Sequence, residues 1–527
     1  RGGEAAAMLR FSTFAVDSHD DQFDVLMALD WENVQRFASE IPLGAGSVIL
    51  ADPAAGAIPE AIAKKGAKVV EFPLKDVAKA CAGRPNMVAL GALVALLKVD
   101  PQAAIAVVAK SLKKKDDKAL ELSKAALAAG AAAADKLGIH YVLAKAPARN
   151  GGRWTISGNQ AAGLGAIKGG IRFVAAYPIT PATEMLEWMA PALTKVGGVL
   201  VQAEDELASI NMILGGSFAG VPSLTATSGP GLSLMLESFG LGIASETPIV
   251  VVNVMRGGPS TGIPTKSEQT DLNIAIYGMH GDAPHYVVAP VSVSDCMFTT
   301  QWAVHLAETT QTPAIVLSDQ YLGQARAISD RPASVAFPTK RLVAENPGAG
   351  YARYALTESG VSPMAIPGTK GGQYTADGLE HGVKGTPSSQ ASDHQSQLDK
   401  RLKKITALDY GNHWAEIDGA GEGEIAIVTW GSTASTAKEA LDRARKRGLK
   451  ARLIALRMLL PVQKEKLSAA LAGVKRVMVI EQSHGAQFHH YLRAFYDLPG
   501  EVEILARPGP LLYRPDEIYR RLTQGRA

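Results

Sequence analysis

Residues Val201–Met235, VQAEDELASINMILGGSFAGVPSLTATSGPGLSLM, decide the fold. The stretch leaves one short β-branched run, GGVLVQAE, and enters a second, VPSLTATS, which ends in a Ser-Gly-Pro-Gly turn opening the helix LSLMLESFGLG. Short apolar strands separated by helices require a largely parallel sheet covered on both faces. In such sheets ligands gather beyond the carboxyl ends of the strands. Three carboxylates, Glu204 to Glu206, and the glycine turn fall at two such ends, and neither feature serves a core.

Working outward, GIRFVAAYP, TPIVVVNVM, PHYVVAP and TPAIVLSD repeat the pattern. Residues 151–325 are therefore expected to form a doubly wound parallel sheet within a multi-domain α/β protein. Residues 1–150 read as a smaller α/β unit. Its strands are GSVILAD and AKVVEFPL, its helices PEAIAKKG and NMVALGALVALLKV, and MLRFSTFAV near its start is strand-like. A linker, APARNGGRWTISGNQ, follows. Residues 326–420 are rich in Gly, Pro and Ser and read as an extended connection, ending in HQSQLDKRLKKITAL, a helix whose basic face is expected in solvent. Residues 421–527 return to α/β with EIAIVTWGS, KARLIALRM, RVMVIEQS and VEILA.

The 527 residues are 47% hydrophobic and 20% charged, the composition of an ordinary globular protein. A net charge of +3 gives no footprint for nucleic acid or an anionic membrane. No apolar run reaches the ~18–20 residues of a membrane span. Cys81 and Cys296 are the only cysteines, so a disulfide framework is not expected and a cytoplasmic location fits. Two thiols are also too few for an iron–sulfur cluster, which takes about four. The chain opens on Arg1-Gly2-Gly3, which reads as a start with the true N-terminal part of its domain missing.

Four strand ends carry residues suited to chemistry. In Tyr177-Pro-Ile-Thr-Pro181, prolines stiffen the backbone around Thr180, whose hydroxyl is equally a helix cap on local grounds. Among Glu204, Asp205 and Glu206, a single carboxylate is explained by capping, but three exceed that need. In Ser228-Gly229-Pro230-Gly231, the glycines admit a ligand close to the backbone, and the absence of Gly-Lys-Ser/Thr excludes a P-loop. Arg256, after an apolar strand and before paired glycines, is placed as a carboxylate clamp.

These residues carry a resemblance. AEDELASINMILGGSFAG…TATSGPGLSL resembles the pyrimidine-binding domain of thiamine-diphosphate enzymes, with Glu206 at the position of the family's glutamate. More narrowly, AAYPITPATE, NVMRGGPSTGIPTKSEQTDL and YGMHGDAP resemble the α subunit of 2-oxoacid:ferredoxin oxidoreductases of the 2-oxoglutarate type. RGGEAAAMLRFS and NMVALGALVALL resemble the γ domain fused ahead of α in one branch. VTWGSTASTAKEAL, LLPV and VIEQSHGAQF resemble the transketolase C-terminal domain. The resemblance implies four domains: γ over 1–150, pyrimidine-binding over 151–325, a connecting segment over 326–420, and a transketolase C-terminal-like domain over 421–527.

The same resemblance implies oxidative decarboxylation of 2-oxoglutarate, with the acyl group passing to coenzyme A as succinyl-CoA and electrons passing to ferredoxin. Glu206 would hold the pyrimidine of thiamine diphosphate and Ser228–Gly231 would cradle the ring. Thr180, Arg256 and Thr265 would bind the 2-oxo acid, Arg256 by its carboxylate. The Gly-Asp-Gly…Asn pattern for Mg²⁺ and diphosphate is lacking; Gly281-Asp282-Ala283 is the nearest string. Diphosphate, Mg²⁺ and a [4Fe–4S] cluster are therefore expected on a β subunit, in an (αβ)₂ assembly. No metal site is expected in this chain, since His484, His489 and His490 lack a carboxylate set. Gly431, Ser432 and Glu481 read as structural or as serving assembly. Coenzyme A is expected to touch the γ domain, where Arg1 and Arg10 are candidate phosphate partners that the sequence does not single out. Pyruvate or branched-chain specificity, or a non-catalytic scaffold, are the competing readings.

Overall fold

The computed structural model describes residues 5–112, 117–144, 152–331 and 335–524, and the chain divides into two units, Arg1–Asn150 and Gly151–Ala527. Arg1 and linker residues 146–151 lie outside the described residues.

In the first unit, Val25–Met27, Val48–Ala51 and Lys68–Glu71 form a parallel three-stranded sheet in that order. Leu50, Phe72, Leu74, Val88 and Ala92 are buried in its core. MLRFSTFAV is not a strand: no neighbouring strand pairs with it among the described residues, and Leu9, Phe11 and Phe14 are exposed. Without a ladder partner, β propensity alone does not make a strand. Arg10 pairs with Asp20 at 3.2 Å and donates to the Ser18 carbonyl at 3.0 Å.

The second unit is built on a seven-stranded sheet. Its spatial order is Met458–Leu460, Tyr286–Val288, Ala314–Asp319, Val250–Met255, Ser223–Thr227, Phe173–Ala176, Val199–Gln202. All but Met458–Leu460 run parallel, as the repeated β-branched runs require. Counted along the chain, the parallel strands lie in the order second, first, third, fourth, sixth, fifth. The connections leave the first and third strands in opposite directions, so the crevice at their carboxyl ends is the topological switch point. Thr180 and Ser228 follow those two strands.

A second sheet holds Ala415–Asp418, Ala451–Leu456, Ile425–Trp430, Arg476–Glu481 and Glu501–Ala506 in that order, with only the first strand antiparallel. KARLIALRM is not one strand. It breaks at Arg457, whose guanidinium holds Asp295 at 3.0 Å and the His413 carbonyl at 2.8 Å. Beyond that anchor the chain crosses to the edge of the large sheet. The Arg153–Ser157 part of the linker and Arg326–Asp330 pair as an antiparallel ribbon.

The helix Ala391–Thr406 reverses the expectation for its basic face. Lys400, Arg401 and Lys404 are buried, because Lys400 and Lys404 both reach the buried Glu246 carboxylate and Arg401 bonds Glu380 at 2.6 Å. A charge so far from water needs a fixed partner, and Glu246 supplies it 154 residues earlier.

Candidate active site

The helix Glu206–Phe218 follows the Val199–Gln202 strand, and its first turn separates the three acidic side chains. Asp205 is the N-cap, accepting from the Ala208 amide at 2.6 Å. Glu204 is exposed. Glu206 is 8% exposed, and among the described residues no hydrogen bond or ion pair reaches its carboxylate. The cap need is met by its neighbour, so burial of Glu206 answers another requirement. A carboxylate with no partner in its own chain keeps its full accepting capacity for something from outside it.

The glycine turn lies against that carboxylate. Ser228 precedes the helix Gly229–Ala244 with extended backbone, and its Oγ is buried without a partner. A Cβ at Gly231 would stand 2.1 Å from Thr227 Oγ1 and 2.9 Å from Glu206 Oε1. One at Gly229 would stand 2.8 Å and 2.9 Å from the two carboxylate oxygens of Asp271. Both positions therefore require glycine for close approach rather than for turn geometry. The turn is held between two carboxylates, one of which the sequence reading missed.

Arg256, at the end of the Val250–Met255 strand, is 7% exposed. Its Nη1 donates to the Thr180 carbonyl at 2.6 Å and its Nη2 to the Thr261 carbonyl at 2.7 Å. It thus ties the Tyr177–Pro181 turn to the loop after its own strand, while its buried Nε has no partner. Thr180 does not cap the next helix, whose N-cap is Ala182. Its residue is exposed beside the crevice. Thr265 lies farther out, on the exposed loop 258–265, and among the described residues no hydrogen bond joins it to Glu206, Ser228 or Arg256.

Asp271 and Asn253 complete the cluster. Asn253 interrupts an otherwise apolar buried strand, a signal that could have been read, and its Nδ2 donates to Asp271 Oδ2 at 2.8 Å. Asp271 is part-exposed as a residue, but protein encloses its carboxyl. Burial pushes that carboxyl up to about 6, against the pull of the Asn253 hydrogen bond and the Arg256 charge. Burial also lowers the Arg256 guanidinium from its ordinary range, with Asp271 opposing. Burial raises the neighbouring Glu268 as well, against a Gly509 backbone hydrogen bond.

The segment Ser267–Asp271 is gripped by the second sheet. Gln269 and Gln482 exchange bonds: the Gln269 amide donates to the Gln482 carbonyl at 2.7 Å, and the Gln482 amide to Gln269 Oε1 at 2.7 Å. Gln269 Nε2 donates to the Trp430 carbonyl at 2.8 Å, where Gly431 adopts φ +59°. Gln487 Nε2 donates to the Thr270 carbonyl at 2.9 Å. Glu481 accepts from Ser483 Oγ and from the Phe488 and His489 amides, so it caps the helix Gln487–Phe495. No group of three or more metal-binding side chains occurs among the described residues.

The crevice thus offers a buried free carboxylate, a free buried hydroxyl and a bare backbone turn on one side. On the other it offers a guanidinium with three of its five N–H groups unspent. The first set fits a flat heterocycle with ring nitrogens, and the second fits a small carboxylate.

Comparison with known proteins gives the family of the chain. Residues 164–400 match the family model described as pyruvate flavodoxin/ferredoxin oxidoreductase, thiamine diphosphate-binding. Residues 1–133 match pyruvate ferredoxin/flavodoxin oxidoreductase, and residues 423–518 match pyruvate:ferredoxin oxidoreductase core domain II. The 2-oxoglutarate synthase subunit KorA of Methanothermobacter marburgensis is 34% identical over 373 residues, covering 70% of this chain and 97% of that one. The 2-oxoacid:ferredoxin oxidoreductase subunit alpha of Saccharolobus solfataricus is 34% identical over 372 residues, covering 67% of this chain and 58% of that one. The solved 2-oxoglutarate:ferredoxin oxidoreductase from Magnetococcus marinus, with 2-oxoglutarate, coenzyme A and succinyl-CoA bound, superposes with a TM-score of 0.88 at 37% identity. It covers 97% of this chain and 90% of that one.

Proposed function

The chain belongs to the 2-oxoacid:ferredoxin oxidoreductase family, and from that premise we propose that it is the α-type subunit of a 2-oxoglutarate:ferredoxin oxidoreductase. Such an enzyme decarboxylates 2-oxoglutarate oxidatively, passing succinyl to coenzyme A and electrons to ferredoxin. The observation that carries the reading is the buried, unpaired Glu206 packed against Gly231 at the end of a strand beside the switch point.

When bound, thiamine diphosphate supplies the carbon nucleophile and electron sink that a 2-oxo acid needs in order to lose CO₂. Glu206 would hold a proton shared with a ring nitrogen of the cofactor's pyrimidine, as general acid–base catalysis requires. Ser228 Oγ would give its free hydrogen-bonding capacity to the same ring, and Gly229 to Gly231 let the ring lie on the backbone. Arg256 would take the substrate's carboxylate with the N–H groups that its two carbonyl bonds leave free, the charge-assisted pairing for which guanidinium is suited. Thr180, tied to Arg256 through its own carbonyl, would place its hydroxyl near the reacting carbonyl. Thr265 would close over the substrate from the exposed loop.

The family names imply several subunits, and the groups needed to finish the reaction are assigned here to a partner. With two cysteines and no Gly-Asp-Gly…Asn pattern, this sequence leaves the [4Fe–4S] cluster, Mg²⁺ and diphosphate to a β subunit in an (αβ)₂ complex. Ferredoxin would receive the electrons from that side. No helix among the described residues is long and apolar enough to cross a membrane, in keeping with a cytoplasmic enzyme.

The test is to measure kcat/KM of the assembled complex for 2-oxoglutarate, pyruvate and 2-oxoisovalerate, with the chain alone as control. The expected result is preference for 2-oxoglutarate and no thiamine-dependent turnover without the partner. Preference for pyruvate or 2-oxoisovalerate would replace the substrate assignment, and no turnover of any of the three would leave the scaffold reading.

A further inference from the structure

Asp271 is the carboxylate that the reaction so far leaves without a task. It stands against the opposite end of the glycine turn from Glu206, its oxygens touching the space beside Gly229. Its one hydrogen-bond donor among the described residues, Asn253 at 2.8 Å, is neutral. Among the described residues no cation lies within ion-pair distance of it; the guanidinium of Arg256 gives two of its N–H groups to the carbonyls of Thr180 and Thr261. The other charged groups around it are few. Glu268, on its own segment, adds a second negative charge, and His484 lies beyond Glu268. Glu206 is across the glycine turn.

Asp271 and Arg256 are nevertheless neighbours, since Thr270 Oγ1 donates to the Arg256 carbonyl at 3.4 Å, and each charge shifts the other's titration. Ionised Asp271 is the anion that offsets Arg256 before the substrate arrives. A substrate carboxylate arriving at Arg256 meets that anion across the same guanidinium. Two carboxylates competing for one cation cannot both stay ionised cheaply, and the more enclosed one takes a proton.

We propose that Asp271 is a positioning residue that couples capture of the anionic 2-oxo acid at Arg256 to the uptake of one proton. This inference rests on the reading of Arg256 as the substrate's carboxylate site. Asp271 touches no reacting atom; it sets the charge that Arg256 presents. The sign follows from linkage. An approaching anion raises the pKa of Asp271 above its value of about 6 in the free chain. Below that value the proton is already bound, and capture is independent of pH. Above it, each capture draws a proton from solvent, so affinity falls by up to about tenfold per pH unit until the pKa of the occupied site is reached.

The experiment measures kcat and kcat/KM for 2-oxoglutarate between about pH 5.5 and about pH 8 in the assembled enzyme, wild type and Asp271→Asn, since kcat/KM reports groups of the free enzyme. The wild type is expected to lose kcat/KM above about pH 6 while kcat lacks that limb. Asp271→Asn keeps the Asn253 hydrogen bond and should flatten kcat/KM at the wild type's low-pH level. An unchanged slope in Asp271→Asn overturns the inference. Arg256→Gln separates the two readings: if it leaves KM unchanged, the carboxylate assignment itself fails. If it raises KM while the Asp271→Asn slope persists, only the proton coupling fails. Inhibition of the wild type by glutarate, which has the carboxylates without the reactive carbonyl, needs no variant. Its Ki should rise with pH above about pH 6.5, and a flat Ki overturns the coupling.

Discussion

The two sheets of the Gly151–Ala527 unit share a construction of short buried parallel strands joined by helices, yet their strand ends differ in what they leave unfinished. At the ends of the large sheet, the Glu206 carboxylate, Ser228 Oγ, Asn253 Oδ1 and Arg256 Nε have no partner within the described residues. At the ends of the small sheet, Glu481 accepts three hydrogen bonds, and Thr429 Oγ1 bonds both the Ile480 carbonyl and Thr433. Gln482 Nε2 donates to the carbonyls of Arg507, Pro508 and Leu511. Among the described residues there, Gln482 Oε1 and Trp430 Nε1 lack partners. Buried polar groups are normally satisfied, so a concentration of unsatisfied ones marks where something from outside binds. A satisfied strand end is scaffold, here used to grip the loop of its neighbour.

Two carboxylates put the comparison at its sharpest. Glu206→Gln should leave assembly and thermal stability unchanged but lower decarboxylation by ~10²-fold or more, the scale of lost acid–base help. Glu481→Gln should do the reverse. It removes a charged acceptor from the Phe488 and His489 amides, so unfolding should become easier by about 1–3 kcal/mol while turnover stays within a few-fold. Steady-state rates and denaturant unfolding of both variants decide. Wild-type turnover in Glu206→Gln would return the whole acidic cluster to helix capping, and the two sheets would then be functionally alike.

The grip of one sheet on the other gives a smaller effect. Gln482→Ala removes three side-chain bonds to the Arg507–Leu511 turn but leaves the backbone exchange with Gln269 in place. The loop carrying Thr265 should loosen without losing its path. KM for the 2-oxo acid is expected to rise several-fold with kcat retained, at a stability cost of about 1 kcal/mol per lost bond at most. Equal falls in kcat and kcat/KM would show that the small sheet shapes the transition state rather than the loop, and would erase the distinction drawn here.

What the sequence disclosed and what it withheld divide along the same line. The strand ends at Tyr177–Pro181, Glu206 and Ser228–Gly231 were legible because prolines, glycines and strand-to-helix switches act over a few residues. Asp271 was hidden because its meaning depends on Asn253 and Gly229, on other elements. The break at Arg457 was hidden because Asp295 holds it from 162 residues earlier. The basic face of Ala391–Thr406 was misplaced for the same reason, since periodicity reports that a face is charged and not where its countercharge lies.

That inward face supplies the smallest effect and a control for the rest. Glu246 is surrounded by Lys400, Lys404 and Arg353, three cations for one carboxylate, all but inaccessible to water. The cations draw Glu246 down to about 2, while burial lowers Lys404 to about 7 despite the attraction of Glu246. Between about pH 7 and about pH 9.5 the unfolded chain therefore holds a proton on Lys404 that the folded chain lacks, and stability rises with pH on this account. Lys404→Met keeps the stem and removes the surplus cation while Glu246 keeps Lys400 and Arg353; no buried carboxylate is left uncompensated, so near pH 7 stability should change by less than about 1 kcal/mol. The pH-dependent gain should disappear in the variant, and turnover should be unaffected. Parallel unfolding curves for wild type and Lys404→Met across that window would mean the amine stays charged. The cluster would then be a fully ionised structural anchor, a second place besides the crevice where this unit maintains unbalanced buried charge.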